Sequence, residues 1–202
     1  MLITIEGIDG AGKSTLVAGL EDALREHAPV VLREPGGVEL SERLRALVKD
    51  PALTVGGRAE ALIYAAARAQ LVEERLRPLL DDGRLVLLDR FVDSSLAYQG
   101  AGRGLGVDPV RALNAFGTGG IVPDRTLLLR IDPAAGSARV GVRGETQDRI
   151  EAERDTFWLA CARAYDELAA AEPGRWAVID ASQPPDRVLA DALAQLAPLL
   201  EP

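Results

Sequence analysis

Gly7-Ile8-Asp9-Gly10-Ala11-Gly12-Lys13-Ser14 fits the pattern G-x-x-x-x-G-K-[ST] at every fixed position. The short apolar run Leu2–Glu6 comes directly before it, and helical periodicity follows from Ser14 onward. Strand, glycine turn and helix are therefore in register. Glycines let the backbone turn so that successive N–H groups point inward at phosphate oxygens. The helix N-terminus adds the positive end of its dipole. Lys13 is placed to reach the β- and γ-phosphates of a nucleotide, and Ser14 to offer a hydroxyl to Mg²⁺. With Thr15 added, residues 7–15 (Gly7, Ile8, Asp9, Gly10, Ala11, Gly12, Lys13, Ser14, Thr15) form the expected phosphate cradle. The motif fixes phosphate binding and leaves the reaction open.

Outward from this loop, short apolar runs alternate with longer helical stretches. The runs are Leu2–Glu6, Pro29–Arg33, Leu85–Asp89, Thr126–Ile131 and Trp176–Ile179. Their low polar alternation suits strands covered on both faces. Helices are expected over Ser14–Glu26, Glu39–Lys49, Arg58–Leu80, Asp108–Phe116, Glu151–Ala171 and Pro185–Leu196. In the fifth of these, Phe157, Cys161, Tyr165 and Leu168 form one stripe. Such alternation predicts a three-layer α/β/α fold of the P-loop NTPase type, with a five-stranded parallel sheet. No linker divides residues 1–202, so one domain is expected. Arg139–Arg149 holds Gly141, Gly144, Arg139, Arg143 and Arg149 with few apolar anchors, and reads as a short mobile lid.

Bulk properties narrow the partners. The net charge of −8 argues against a nucleic-acid polymer, which is usually gripped by a positive stripe. A small anionic ligand needs only a few local cations. Cys161 and His27 are each the sole residue of their type, which excludes an intrachain disulfide and a His/Cys metal cluster. Any metal must then take oxygen ligands. No apolar stretch approaches the ~18–20 residues of a membrane span, and a cytoplasmic setting is expected.

Leu85-Val86-Leu87-Leu88 runs straight into Asp89-Arg90. A carboxylate at the carboxyl end of a buried parallel strand lies where open α/β sheets bind ligands. Asp89 is thus expected to face Ser14 across Mg²⁺, and Arg90 to hold phosphate oxygens with its planar fork.

The string Asp89-Arg90-Phe91-Val92-Asp93-Ser94-Ser95-Leu96-Ala97-Tyr98-Gln99 resembles the signature of the thymidylate kinase family. Arg33-Glu34-Pro35-Gly36-Gly37 resembles that family's acceptor-side loop, and Tyr64-Ala65-Ala66-Ala67-Arg68 its base-binding helix. Arg143-Gly144-Glu145 with Asp148-Arg149-Ile150-Glu151 is similar to the bacterial lid segment. The resemblance covers nearly the whole chain, with the motifs in order. It implies an ATP- and Mg²⁺-dependent conversion of dTMP to dTDP by a homodimer, with residues 7–15 holding ATP. It also implies that Tyr64 stacks on thymine, Arg68 bonds a base carbonyl, and Tyr98 crowds the 2′ position. Asp9 would hold the 3′-hydroxyl, and Arg45 and Arg90 the acceptor phosphate; Glu34 and Pro35 belong to the same substrate loop. Tyr64 and Arg68, like Ser95 and Gln99, are four residues apart and share a helix face, the second pair being suited to the base edge. Position 10 is Gly where one branch of the family carries an arginine. The resemblance is therefore to the branch whose catalytic arginine comes from the lid, with Arg143 the first choice and Arg149 the second.

The implied reaction is direct in-line transfer without a covalent intermediate. An acceptor phosphate is already anionic near neutral pH, so alignment and cations carry catalysis. Two alternatives remain: another P-loop nucleoside monophosphate or deoxynucleoside kinase, and a nucleotide-binding switch protein. The switch is disfavoured because Lys49, flanked by Val48 and Asp50-Pro51, does not fit [NT]-K-x-D.

Overall fold

The computed structural model describes residues 1–142 and 148–200. The chain runs β1 (Leu2–Glu6), α1 (Lys13–Ala23), β2 (Val30–Arg33), α2 (Glu39–Lys49), α3 (Gly57–Leu71), α4 (Arg77–Asp81), β3 (Val86–Asp89) and α5 (Val92–Ser95). It continues through α6 (Val107–Thr118), β4 (Arg125–Arg130), α7 (Pro133–Val142), α8 (Asp155–Ala171), β5 (Trp176–Asp180) and α9 (Pro185–Leu200). The five strands are all parallel, in the order β2-β3-β1-β4-β5. This is the expected P-loop NTPase-type α/β fold.

The strands are apolar on both faces because both faces are covered. Ile3, Ile5 and Leu87 join a cluster with Leu16 and Leu20 of α1, Cys161 and Leu168 of α8, and Ala192 and Leu196 of α9. Their chain neighbours Leu2, Val86 and Leu88 join a second cluster with Leu71, Val72, Leu76 and Phe91. A fully buried side chain of this size contributes roughly 1.5–3 kcal/mol. Phe157, Cys161, Tyr165 and Leu168 are all buried, as their spacing requires.

The register sets up the site. Ile5 lies opposite Asp89, and Asp89 opposite Arg33, so the carboxyl ends of β1, β2 and β3 finish level with one another. The loops after β1 and β3 leave from adjacent strands and share one crevice.

Three local differences from the sequence-based expectation have physical causes. The helix expected over Arg58–Leu80 is continuous but passes through a π-helical turn, Val72–Leu76, before α4. Pro78 lies just beyond it and has no N–H to bond the carbonyl one turn back. A second π-helical stretch, Leu96–Gly102, extends α5 over residues to which no helix is assigned from the sequence. Finally, α7 was not anticipated. Gly136 and Gly141 dilute its helical signal, but the Asp132 carboxylate accepts from the N–H groups of Ala134 at 2.9 Å and Ala135 at 3.3 Å. Pro133 follows the cap at the first helical position, where proline is tolerated.

Candidate active site

The phosphate loop begins where Glu6 ends β1. Gly12 caps α1 with φ 96°, and Gly10 has φ 80°. Gly10 is fixed by space as well, since a Cβ there would fall inside the carbonyl group of Gly136 on α7. The reverse also holds: a Cβ on Gly136 would stand 2.8 Å from the Asp9 carbonyl oxygen. An arginine at position 10 is thus excluded while α7 occupies this place. Lys13 turns back into the loop, its Nζ donating to Gly7 O at 3.0 Å and Ile8 O at 2.9 Å. Burial, then the neighbouring Arg90 charge, lowers its pKa to about 8. Ser14 and Thr15 stand exposed at the start of α1.

From β3, Arg90 arrives at the same point. Its backbone has φ 69°, uncommon for a residue with a side chain, and its N–H donates to Ile5 O at 3.0 Å. The guanidinium donates to Gly7 O and to Ser94 Oγ, each at 3.1 Å, and pairs with Asp9. An ammonium at the start of α1 and a guanidinium just past the end of β3 therefore converge on one carbonyl oxygen. Arg90 also lies 5.0 Å over the Tyr98 ring. The turn is pinned from behind by Glu6, which accepts from Phe91 N at 2.8 Å, Ser94 Oγ at 2.6 Å and Tyr165 OH at 2.8 Å. Burial and then Asp93 raise the Glu6 pKa to about 7.

A cavity of about 210 Å³ opens from this pair. Its wall includes Asp9, Gly10, Gly12, Lys13, Ser14, Glu34, Pro35, Arg45, Tyr64, Arg68, Asp89, Arg90, Ser95, Tyr98 and Gln99, all singled out from the sequence. Arg33, Lys49, Ser94, Asp148, Ile150 and Glu151 complete it. Six cations and five carboxylates line this hollow, so on a chain whose net charge is −8 the site is locally not negative, which leaves Lys13 and Arg90 able to meet an anionic ligand.

Arg68 is 2% exposed and spends its donors on the protein. Nε donates to Glu34 Oε2 at 2.7 Å, one terminal nitrogen to Ser95 Oγ at 2.9 Å and to Asn114, the other to Phe91 O at 2.8 Å. Four of its five N–H groups are hydrogen-bonded, and the terminal nitrogen that carries the fifth lies 2.7 Å from Glu34 Oε2. Glu34 Oε1, Tyr98 OH and Asp89 Oδ1 are buried with no protein hydrogen bond among the described residues. Burial raises the Glu34 pKa against the pull of Arg68. Tyr98 is set edge-on to Phe157 and Trp158, at 5.8 Å each, which fixes its ring. Tyr64 is half-buried, and its phenol is pushed up to about 12 by burial and then by Glu60.

The orphaned Asp89 oxygen and the exposed Ser14 hydroxyl are a hard-oxygen donor set, which fits Mg²⁺. The described residues contain no group of three His, Cys, Asp or Glu side chains able to hold a metal alone.

The expected lid segment divides. Arg139 lies on α7 and donates to Ala181 O at 3.0 Å. Arg143 lies outside the described residues. Arg149 does not line the cavity: it donates to Val48 O at 2.9 Å and to Glu60 at 2.6 Å. Its turn is capped by the Asp148 carboxylate, which accepts from Ile150 N at 2.8 Å and pairs with Lys49 at 2.5 Å. This capped turn delays the start of α8 from Glu151 to Asp155. Gly7, Ile8, Ala11 and Thr15 belong to the loop and α1 without lining the cavity. Sequence reasoning missed Glu6, Glu60 and Asn114, all buried behind the site, and Arg33 and Lys49 in its wall. Glu60 carried one signal, being one helical turn before Tyr64 on the same face as Arg68.

A phosphate cradle alone serves switches and motors too. Here the hollow that opens from Lys13 and Arg90 is also lined by the Tyr64 and Tyr98 rings, the Gln99 amide and the Ser94 and Ser95 hydroxyls, groups suited to a small polar molecule. Fold and site define a P-loop phosphotransferase acting on a small molecule. The family can be named from relatives. The thymidylate kinase profile matches residues 5–192. A thymidylate kinase of Deinococcus radiodurans is 48% identical over 196 residues, covering 96% of this chain and 95% of that one. One from Halorhodospira halophila is 46% identical over 202 residues, covering 98% and 94%. The crystal structure of thymidylate kinase from Ehrlichia chaffeensis superposes with a TM-score of 0.79 at 29% identity, with 98% of each chain covered. The chain belongs to the thymidylate kinase family.

Proposed function

We propose that this protein transfers the γ-phosphoryl group of ATP to the phosphate of dTMP, giving dTDP by direct in-line displacement. The convergence of Lys13 and Arg90 on Gly7 O, at 3.0 and 3.1 Å, is the observation that carries the reading. Two cations held together at one point support a site where the ends of two anionic nucleotides would meet. Residues 7–15 hold the ATP phosphates. Arg45 and Arg90 hold the acceptor phosphate, Asp9 the sugar hydroxyl, and Tyr64, Arg68, Ser95 and Gln99 the base; Glu34, Pro35 and Tyr98 shape the same chamber. Lys13 and Arg90 neutralise oxygens of the phosphoryl group in flight. The acceptor oxygen is anionic at neutral pH, so no side chain need remove a proton. Ser14 and Asp89 would hold Mg²⁺, which supplies charge neutralisation between the phosphates when bound. A further cation from the 139–149 segment completes the set, Arg143 first and Arg149 second. Arg149 can serve only by leaving Glu60, which favours Arg143.

Self-association is part of the reading. Phe116 on α6 is 93% exposed and Leu62 on α3 is 57% exposed. The two helices pack closely where Gly117 meets Ala65 and Ala69, and an apolar pair of this size on adjoining helices suits a homodimer. A cytoplasmic setting fits a substrate pair of soluble nucleotides. No described helix is long and apolar enough to cross a membrane.

The test is a coupled assay of ADP release with ATP–Mg²⁺ and a panel of acceptors. dTMP should be turned over far better than dCMP, dGMP, UMP or unphosphorylated thymidine. Equal rates across the panel would leave a general nucleotide kinase, and rates independent of any acceptor would leave a nucleotide-binding switch.

A further inference from the structure

Two neutral side chains at the base end of the cavity, Ser95 and Gln99, each have a charged group behind them. Gln99 is 2% exposed, and its Nε2 donates to Glu60 Oε1 at 2.9 Å. Glu60 is completely buried on α3; its other oxygen, Oε2, pairs with Arg149 at 2.6 Å and Arg103 at 3.0 Å, and Arg103 Nε is shared between Oε1 at 3.1 Å and Oε2 at 3.2 Å. An ionised carboxylate can only accept hydrogen bonds. Whatever group of Gln99 faces Glu60 must be the NH₂, and its carbonyl oxygen is left to the cavity. Among the described residues, nothing donates to that oxygen. Ser95 shows the converse. Its Oγ accepts from Arg68 at 2.9 Å, and a guanidinium can only donate. The Ser95 proton is therefore free to be given to a ligand.

We infer that Glu60 is the positioning residue for base selection: it locks the Gln99 amide with its oxygen toward the cavity, so that Ser95 and Gln99 present one donor and one acceptor. This rests on the acceptor site proposed above. A pyrimidine with a carbonyl at C4 and a proton on N3 meets that pair correctly. A cytosine ring offers an amino group at C4 and a lone pair on N3, and meets it with both polarities reversed. Leaving buried polar groups unpaired is the strongest form of rejection available to a site. Glu60 does this without touching the ligand, and α3 places it one turn before Tyr64.

The arginines make the arrangement testable. In Glu60→Gln, the new amide turns its oxygen to the Oε2 side, where Arg149 donates at 2.6 Å and Arg103 Nε at 3.2 Å; on the Oε1 side only Arg103 Nε, at 3.1 Å, is an obligate donor, because the Gln99 amide can rotate. Its NH₂ then faces Gln99, whose own amide must rotate to accept from it. The NH₂ of Gln99 would point into the cavity, the polarity that suits cytosine. kcat/KM should be measured for dTMP and dCMP in the wild type, Glu60→Gln, Glu60→Asp and Arg103→Ala. The dTMP:dCMP ratio should fall about tenfold or more in Glu60→Gln. It should be largely restored in Glu60→Asp, which keeps an obligate acceptor, and be unchanged in Arg103→Ala, whatever that variant loses in stability. Equal losses on both substrates in Glu60→Gln would overturn the inference, because a purely structural role lowers both alike. If Glu60→Gln does not fold, NMR of the wild type decides. The side-chain NH₂ resonances of Gln99, assigned by their loss in Gln99→Met, should stay in place when dTMP is added. Their movement with a cross-peak to the thymine ring would refute the inference. A wild type that does not turn over dTMP would instead sink the proposed function itself.

Discussion

Lys13 titrates near neutrality, and that makes nucleotide binding a proton-uptake reaction. Burial and the Arg90 charge bring its pKa to about 8, against an ordinary 10.5. The phosphates of ATP are polyanionic and must hold this ammonium protonated once they occupy the loop. In the free protein the neutral fraction is roughly one tenth at pH 7, one half at pH 8 and nine tenths at pH 9. Binding ATP–Mg²⁺ should therefore take up about 0.1, 0.5 and 0.9 protons at those pH values, and affinity should fall about tenfold between pH 7 and pH 9. The sign is fixed by the direction of the shift: a depressed lysine loses its charge early, and the ligand restores it. Isothermal calorimetry in buffers of different ionisation enthalpy reads the uptake as the slope of binding heat against buffer enthalpy. Lys13→Met should abolish the pH-dependent part. Glu6 sits close by with a pKa of about 7, but it is ionised across most of this range, so it adds little above pH 8. Uptake that stays flat from pH 7 to pH 9, or survives in Lys13→Met, would refute the account of Lys13.

Other perturbations follow from the same geometry. Gly10→Ala forces a positive-φ alanine against the Gly136 carbonyl and should cost roughly 2–4 kcal/mol, lowering Tm by about 5–10 °C in a thermal melt, with weaker ATP binding. Arg68→Ala should raise KM for the nucleotide acceptor far more than KM for ATP. It should also destabilise the fold by roughly 3–5 kcal/mol in urea, because Glu34 is left buried and unpaired. Arg143→Ala should lower kcat with little change in ATP affinity. If kcat is unaltered there and falls in Arg149→Ala, the lid cation is Arg149.

The strands were readable because buried parallel strands are apolar throughout, and no tertiary knowledge is needed to see that. The phosphate loop was readable for a related reason: its chemistry is local, with Gly7 through Ser14 contiguous and their roles set by spacing. The helix α7 was hidden because a close approach to the loop demands glycine at 136, and glycine is what weakens a helical signal. The supporting carboxylates were hidden more deeply. Glu60 matters through Arg149, 89 residues away, and Glu6 through Tyr165, 159 residues away. In the sequence, an isolated glutamate beside apolar residues is indistinguishable from a solvated one until its partners are brought to it. Arg68 shows the limit from another side. Its place beside Tyr64 was legible, but its full set of protein partners depends on Glu34, Ser95, Phe91 and Asn114 arriving together.

The contact between Gly10 and Gly136 has a consequence for how such an enzyme can change over generations. Backbone touches backbone there, so neither position can gain a side chain while the other stays where it is. Placing an arginine in the loop at position 10 requires α7 to withdraw first, and withdrawal alone gains nothing. The two arrangements are separated by a valley that single substitutions do not cross, and a lineage that has docked this helix keeps glycine at both positions.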